Sequence, residues 1–121
     1  MSLKVNTDQK RPGVFVVSPI GSIDSNTHTI LDENVENVLE NSPDVVIFDM
    51  EFTDYINSTG IRVLLKTKKA LKKSAGKLLF MNLQPQIKKV FEILQALPTM
   101  KVFASIDEMD AYLDAMQKAA R

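Results

Sequence analysis

The alternation of apolar and polar positions divides the chain into a series of short elements. Leu3, Val5 and Thr7 fall at every second position, which predicts a short edge strand. Gln9-Lys-Arg-Pro-Gly13 reads as a turn, and Val14 to Ile20 as a second strand that Pro19 confines to an edge or a bulge. Together they predict a hairpin. Leu31, Val35, Val38 and Leu39 recur at helical spacing, so a helix is expected from about Ser25 to Glu40, ended by Asn41-Ser-Pro43. Val45-Val-Ile-Phe48 is a continuous apolar run between Asp44 and Asp49, the pattern of a buried central strand. A second helix begins near Ser58, turns Ile61, Leu64, Leu65 and Leu71 inward and most of its lysines outward, and stops at Gly76.

Leu78-Leu-Phe-Met81 predicts another buried strand. Pro85 opens a third helix at a position where its missing N–H costs nothing, and Ile87, Val90, Phe91, Leu94 and Leu97 form its apolar stripe up to Pro98. Val102-Phe-Ala104 predicts a short last strand. Ser105 to Glu108 is a capping box, and Ile106, Met109, Leu113, Met116 and Ala120 make the final stripe. The order β-β-α-β-α-β-α-β-α defines an α/β fold: a mixed, mostly parallel sheet with an edge hairpin, flanked by about four helices. The expected sheet core is Val16, Val46, Phe48, Leu79 and Phe80, with Val35, Leu64, Val90, Leu94 and Leu113 packed on it from the helices. With 121 residues, 45% of them hydrophobic, a single domain over 1–121 can bury a core without a metal or disulfide staple.

Charge changes this picture through its distribution. Fifteen basic and fifteen acidic residues cancel, which favours neither nucleic acid nor membrane as a partner. From Pro12 to Ile61 there is no Lys or Arg, but there are Asp24, Asp32, Glu33, Glu36, Glu40, Asp44, Asp49, Glu51 and Asp54. From Tyr55 to Phe91 there is no acid, but there are Arg62, Lys66, Lys68, Lys69, Lys72, Lys73, Lys77, Lys88 and Lys89. Two solvated faces of opposite sign account for this. A dipolar surface that orients a charged protein partner is the sharper reading. The basic stretch lacks the exposed aromatics on which single-stranded nucleic acids stack.

Candidate chemistry is sparse. The chain has no cysteine, which excludes disulfides, thiolate metal sites and cysteine nucleophiles and fits a reducing, cytoplasmic setting. The apolar runs are too short to span a membrane, and Met1 to Lys10 is too polar for a secretory segment. His28 is the only histidine, so neither metal site nor cofactor is expected. There is no nucleophile elbow, Walker loop or dinucleotide fingerprint, and no catalytic residue is assigned. One segment stands apart: Asp49-Met-Glu-Phe-Thr-Asp-Tyr-Ile-Asn-Ser-Thr-Gly-Ile61. It follows a buried strand and opens a helix, where ligand sites of open α/β sheets lie. Asn57, Ser58 and Thr59 are helix-capping residue types, and a hydroxyl there is also well placed to carry phosphate beside unpaired N–H groups.

Ile56-Asn57-Ser58-Thr59-Gly60-Ile61 resembles the phosphorylation loop of STAS domains of the bacterial anti-sigma factor antagonist type, which reads hydrophobic-Asp-Ser-Ser/Thr-Gly-Leu after the third strand. Gly21-Ser-Ile-Asp24 resembles the family's Gly-Glu-Leu/Ile-Asp, Val46-Ile-Phe-Asp49 its third strand, Gly76-Lys-Leu-Leu-Phe80 the entry to its fourth, and Val90-Phe-Glu-Ile93 its hydrophobic helix. The resemblance covers nearly the whole chain. It implies a non-catalytic phospho-switch with Ser58 as acceptor and Thr59 as the alternative. The implied partner is an anti-sigma factor that is also a serine kinase of the GHKL type. It binds the unphosphorylated form across Asp24, Asn57, Ser58, Thr59, Gly60 and Arg62, and phosphate breaks that contact by bulk and charge without any need for the fold to move. A protein phosphatase restores binding. A homodimer stays open.

Three positions depart from the family pattern. Asn57 stands for the usual Asp, Ser22 for the usual Glu, and Arg62 for a frequent Gly. Either phosphorylation persists with altered kinase preference, or the loop is a constitutive docking surface. The alternative function is accordingly an unphosphorylated STAS scaffold subunit of a larger signalling or transport complex. A response-regulator receiver shares the length and resembles Val45-Val-Ile-Phe-Asp49, but it requires an acidic pair after its first parallel strand and a lysine after its last. Here the early strand ends Ser18-Pro-Ile-Gly-Ser22, and Lys101 precedes the last strand.

Overall fold

The computed structural model describes residues 2–96 and 105–120. β1 (Leu3–Arg11) and β2 (Val14–Ile23) form the expected hairpin, both longer than their periodicity implied. Its tight turn uses Gly13 at φ 79°, a left-handed conformation open to glycine without strain. Helix α1 (His28–Leu39) starts later than predicted, because Ser25 to Thr27 are drawn into a turn on Asp24. β3 (Val45–Asp49) is the predicted buried strand, and β5 (Lys77–Met81) forms where predicted but is not buried: Leu79 and Met81 are exposed, and only Leu78 and Phe80 turn partly into the core. Between them lies an element the periodicity did not reveal, β4 (Thr53–Ile56), and then α2 (Ser58–Lys73). α3 (Pro85–Ala96) and α4 (Ile106–Ala120) complete the described fold. The predicted strand Val102–Ala104, Leu97 and Pro98, and the side chain of Leu94, lie outside what is described.

The sheet order is β1-β2-β3-β5, antiparallel in the hairpin and parallel elsewhere. β3 pairs with the first half of β2, Val14 to Val17, and β4 with its end, Gly21 to Ile23, so the two share one edge of β2. The chain makes that step over Met50 to Phe52, closed by the Thr53 amide donating to the Met50 carbonyl at 3.1 Å. The function of this small device is positional. It carries the chain to the carboxyl end of β2 before α2 begins.

One hydrophobic cluster joins Phe15, Val17, Val46 and Phe48 of the sheet to residues of all four helices, including Leu31, Leu64, Val90 and Leu113. Two expected core positions differ. Leu79 is 49% exposed, and Val16, although buried, is not part of that cluster. Strand alternation explains this, since Val16, Ile47 and Leu79 are register neighbours and so share the opposite sheet face. Leu65 is likewise half exposed, on the outer side of α2. At the end of α2 the left-handed residue is Ala75 (φ 59°) rather than Gly76, whose N–H donates back to the Leu71 carbonyl at 2.8 Å. The segregated charges meet where α1 packs on α2. There Lys66 reaches Asp32 and Glu36, each at 3.3 Å, and these acceptors hold its ammonium above the usual lysine range.

Candidate functional site: the start of helix α2

Four elements converge at the carboxyl end of β2 and β4. Asn57 is the N-cap of α2 and accepts hydrogen bonds from the Thr59 and Gly60 amides at 3.0 and 3.3 Å. Its own N–H donates to the Ile23 carbonyl at 3.1 Å, and its carbonyl receives the Ile61 amide at 2.9 Å. An amide side chain therefore does the capping of a carboxylate, without its charge. Its Nδ2 donates to Ser25 Oγ at 3.4 Å, and Ser25 and Thr59 hydroxyls lie 3.4 Å apart.

Asp24 is buried, and one carboxylate oxygen accepts from the Asn26 and Thr27 amides at 2.9 and 3.1 Å. The Thr27 hydroxyl accepts from the Asp24 amide and donates to the Ser22 carbonyl at 2.7 Å. The Asp24 loop is thus braced from within and set rigidly beside the Asn57 cap. Ser22 donates its hydroxyl to Asp54 of β4 at 2.9 Å.

Gly60 fits because nothing larger would. A Cβ there would lie 2.7 Å from both Ile23 Cγ2 and Ile56 Cγ1 and 2.9 Å from the Ile23 carbonyl oxygen. Gly60→Ala is therefore expected to cost ~1–3 kcal/mol through overpacking, read by chemical denaturation. A cost within ~0.5 kcal/mol, the range of neutral surface changes, would mean that the helix seat yields freely.

The serine itself is not at the surface. Ser58 is 5% exposed, and among the described residues its Oγ is the buried side-chain atom without a hydrogen-bond partner. Its amide donates to Asp110 Oδ1 of α4 at 2.9 Å. Gln117, also on α4 and buried, grips the neighbouring strand. Its Oε1 accepts from the Ile56 amide at 3.0 Å, and its Nε2 donates to the Ile56 carbonyl at 2.8 Å. Of the predicted contact residues, Asp24, Asn57, Ser58 and Gly60 are buried, Thr59 is half-buried, and Arg62 is exposed. The structure brings all six to one end of the sheet, with Asp110 and Gln117 as participants the periodicity did not single out. Their sequence signal was there to see, since positions 110 and 117 each fall beside Leu113 at helical spacing, so both lie along the apolar stripe of α4.

Beside the serine lies an open cleft of about 460 Å³ whose walls include Asp24, Asp54, Tyr55, Asn57, Asp114 and Gln117. Burial, then Asp114, Asp110 and Asp24, push the Tyr55 hydroxyl above its usual range. Among the described residues no group of three or more His, Cys, Asp or Glu is arranged to hold a metal, and no helix is long and apolar enough to cross a membrane.

Comparison with known proteins identifies the family and the fold. The STAS domain model matches residues 7–109, and the chain belongs to the STAS domain family. BtrV of Bordetella bronchiseptica, named as an anti-sigma factor antagonist, is 30% identical over 87 residues, 72% of this chain and 75% of that protein. An anti-sigma factor antagonist of Mycobacterium paratuberculosis has the same fold, with a TM-score of 0.64, 22% identity, and coverage of 98% of this chain and 94% of that one. So does the unphosphorylated anti-sigma factor antagonist SpoIIAA of Bacillus, with a TM-score of 0.63, 18% identity, and coverage of 74% and 83%.

Proposed function

We propose that this chain is an anti-sigma factor antagonist working by partner switching in the cytoplasm. Unphosphorylated, it binds an anti-sigma factor that is also a GHKL-type serine kinase. Phosphorylation of Ser58 ends that contact and a phosphatase reverses it. The observation that carries the reading is the position of Ser58. It is the first residue of α2, directly after the Asn57 cap, with its Oγ uncommitted to any other group. The Ser58, Thr59 and Gly60 amides are already bonded to Asp110 and Asn57, so it is the helix dipole that favours an added anion there, typically by ~0.3–1 kcal/mol. The name of the relative BtrV supports the antagonist role. In the transfer, an O–P bond forms at Ser58 Oγ as the bond between the β–γ bridging oxygen and the γ-phosphorus of ATP breaks. ADP leaves, and the hydroxyl proton passes to a base of the kinase.

Asn57 in place of Asp does not remove the cap, so the loss is of one negative charge beside the acceptor. Incubation with the cognate kinase and MgATP followed by mass spectrometry is expected to place one phosphate on Ser58, and Asn57→Asp to raise its rate. If Ser58 and Thr59 both stay unmodified while the kinase still binds, the chain is a constitutive scaffold and the switch is lost.

A further inference from the structure

Among the described residues β1 borders the sheet, with β2 as its one neighbour. It is nine residues long, against about five or six for an average strand. Which of its backbone groups stay open follows from three observations. In an antiparallel pair, residues that exchange hydrogen bonds with the partner alternate with residues whose N–H and C=O point away from it. The Ser22 amide donates to the Ser2 carbonyl at 3.4 Å, so even-numbered residues of β1 bond toward β2. Pro19, which has no N–H to give, lies opposite Val5. The Gly21 amide, opposite Leu3, donates to the Phe52 carbonyl at 2.9 Å and not to β1. Leu3, Val5, Thr7 and Gln9 therefore aim their N–H and C=O groups at the open edge. An irregularity after Gln9, followed by Lys10, Arg11 and Pro12, ends the regular stretch and leaves residues 3–9 fit for pairing.

We propose that this edge is the interface of a homodimer, in which β1 pairs antiparallel with β1 of a second copy about Asn6 and joins the two sheets into one. The inference is independent of the phosphorylation reading. Backbone parity and charge together select the register. Odd-numbered residues face outward, so they pair odd with odd, and the two-fold axis passes through Val5, Asn6 or Thr7. About Thr7, Lys4 would oppose Lys10 of the second copy, a like-charge pair made twice. About Val5, pairing within the strand shrinks to residues 3–7. About Asn6, Lys4 lies opposite Asp8 of the second copy, twice by symmetry, at the pairs without backbone bonds where side chains come closest. Val5 then pairs with Thr7 and Leu3 with Gln9, each pair exchanging two backbone hydrogen bonds. Asp8 comes to lie between two cations, since Lys10 of its own strand is 3.1 Å away. Charges that only guard an edge repel a copy in every register, whereas here one register turns them into pairs.

Helix α1 widens the same surface. It packs over β1 and β2, so strand spacing puts its axis about 10 Å from that of its copy, the separation of packed helices. Asp32 and Glu36 lie on the flank of α1 that meets Lys66 of α2. The opposite flank carries Ile30, Asn34 and Asn37 and, just past the helix end, Asn41, with no charge among them and Ile30 39% exposed. Asn37 and Asn41 line a notch of about 180 Å³ together with Thr7, Asp8 and Gln9, which places this uncharged flank beside the open edge.

Sedimentation of the unaltered chain is expected to show a dimer whose share grows with concentration, and a chain that stays monomeric to about 1 mM overturns the proposal. Lys4→Glu and Asp8→Lys, both at exposed positions, are each expected to weaken the dimer about tenfold by turning two attractions into repulsions. The double exchange is expected to recover most of that loss, and no recovery overturns the register. Thr7→Pro deletes an N–H that faces the open edge and no bond to β2. It is expected to abolish the dimer while circular dichroism stays that of the folded chain, and a dimer that survives it uses another surface and overturns the proposal. If Thr7→Pro unfolds the chain, the charge exchange decides, because it alters exposed side chains alone. Because the chain has no cysteine, Asn6→Cys supplies a single thiol on the two-fold axis, opposite its own copy. Antiparallel pairs without backbone bonds bring Cα atoms to about 4.5 Å, within the span of a disulfide. Under mild oxidation Asn6→Cys is expected to link into a dimer at least about tenfold faster than Gln9→Cys, whose two copies this register sets about 20 Å apart. Equal coupling at the two positions overturns the pairing about Asn6.

Discussion

Phe48→Ala is expected to cost about 3–5 kcal/mol of folding free energy, the largest loss of any single truncation considered. Phe48 is wholly buried and sits on β3 between Val17 of β2 and Phe80 of β5. Its ring stacks on Phe80 at 5.7 Å between centroids, and Phe80 meets Phe91 of α3 edge-on at 4.9 Å. Truncation removes the first ring of this relay and opens a cavity at the centre of the sheet, where backbone pairing on both sides restricts collapse. Aromatic pairs contribute ~0.5–1.5 kcal/mol beyond burial, so the upper part of the range is expected. The change is read as a lower denaturation midpoint at constant slope. Leu79→Ala, one residue from Phe80 but half exposed on the other face, should cost well under half as much. A Phe48→Ala loss below about 1 kcal/mol would show that β3 is not the central strand.

Ser58→Asp is expected to weaken the proposed complex with an anti-sigma factor kinase by ~2–5 kcal/mol, the cost of leaving a charge unpaired in an interface. Ser58→Ala should bind as the unmodified chain does, and should remain bound when MgATP is added. The asymmetry follows from surroundings as well as from the partner. A carboxylate at position 58 comes close to the Asp110 carboxylate that accepts from its own amide, in a residue shell that excludes water. The alanine removes only a hydroxyl that has no partner, so it leaves no group unsatisfied. One carboxylate carries less charge and fewer acceptors than phosphate, so Ser58→Asp should be the weaker disruptor of the two. Isothermal titration with and without MgATP reads both. Equal affinity of Ser58→Asp and Ser58→Ala would remove charge at this position from the mechanism.

Amphipathic periodicity and residue chemistry carried a large part of this protein into view. The stripes of α1, α3 and α4, the apolar runs of β3 and β5, and the capping box in which Ser105 Oγ accepts from the Glu108 amide at 3.1 Å are local, so they are legible in sequence. The same holds for Asn57, whose capping role depends on two amides within three residues of it. Strand β4 was hidden because four residues with both ends buried and a charged Asp54 within them make neither an alternating nor a continuous apolar signal. Which sheet face is covered was hidden too. Alternation says that Leu78 and Leu79 point opposite ways, but only the layer of helices decides which of them meets the core. Most consequential is the setting of Ser58. Local sequence puts a hydroxyl at a helix start. Only the tertiary fold brings Asp110, 52 residues further along, onto its amide, and Gln117 onto Ile56 of the neighbouring strand, 61 residues before it. The cap is set by bonds that span a few residues, whereas burial depends on contacts between distant segments, which no local pattern encodes.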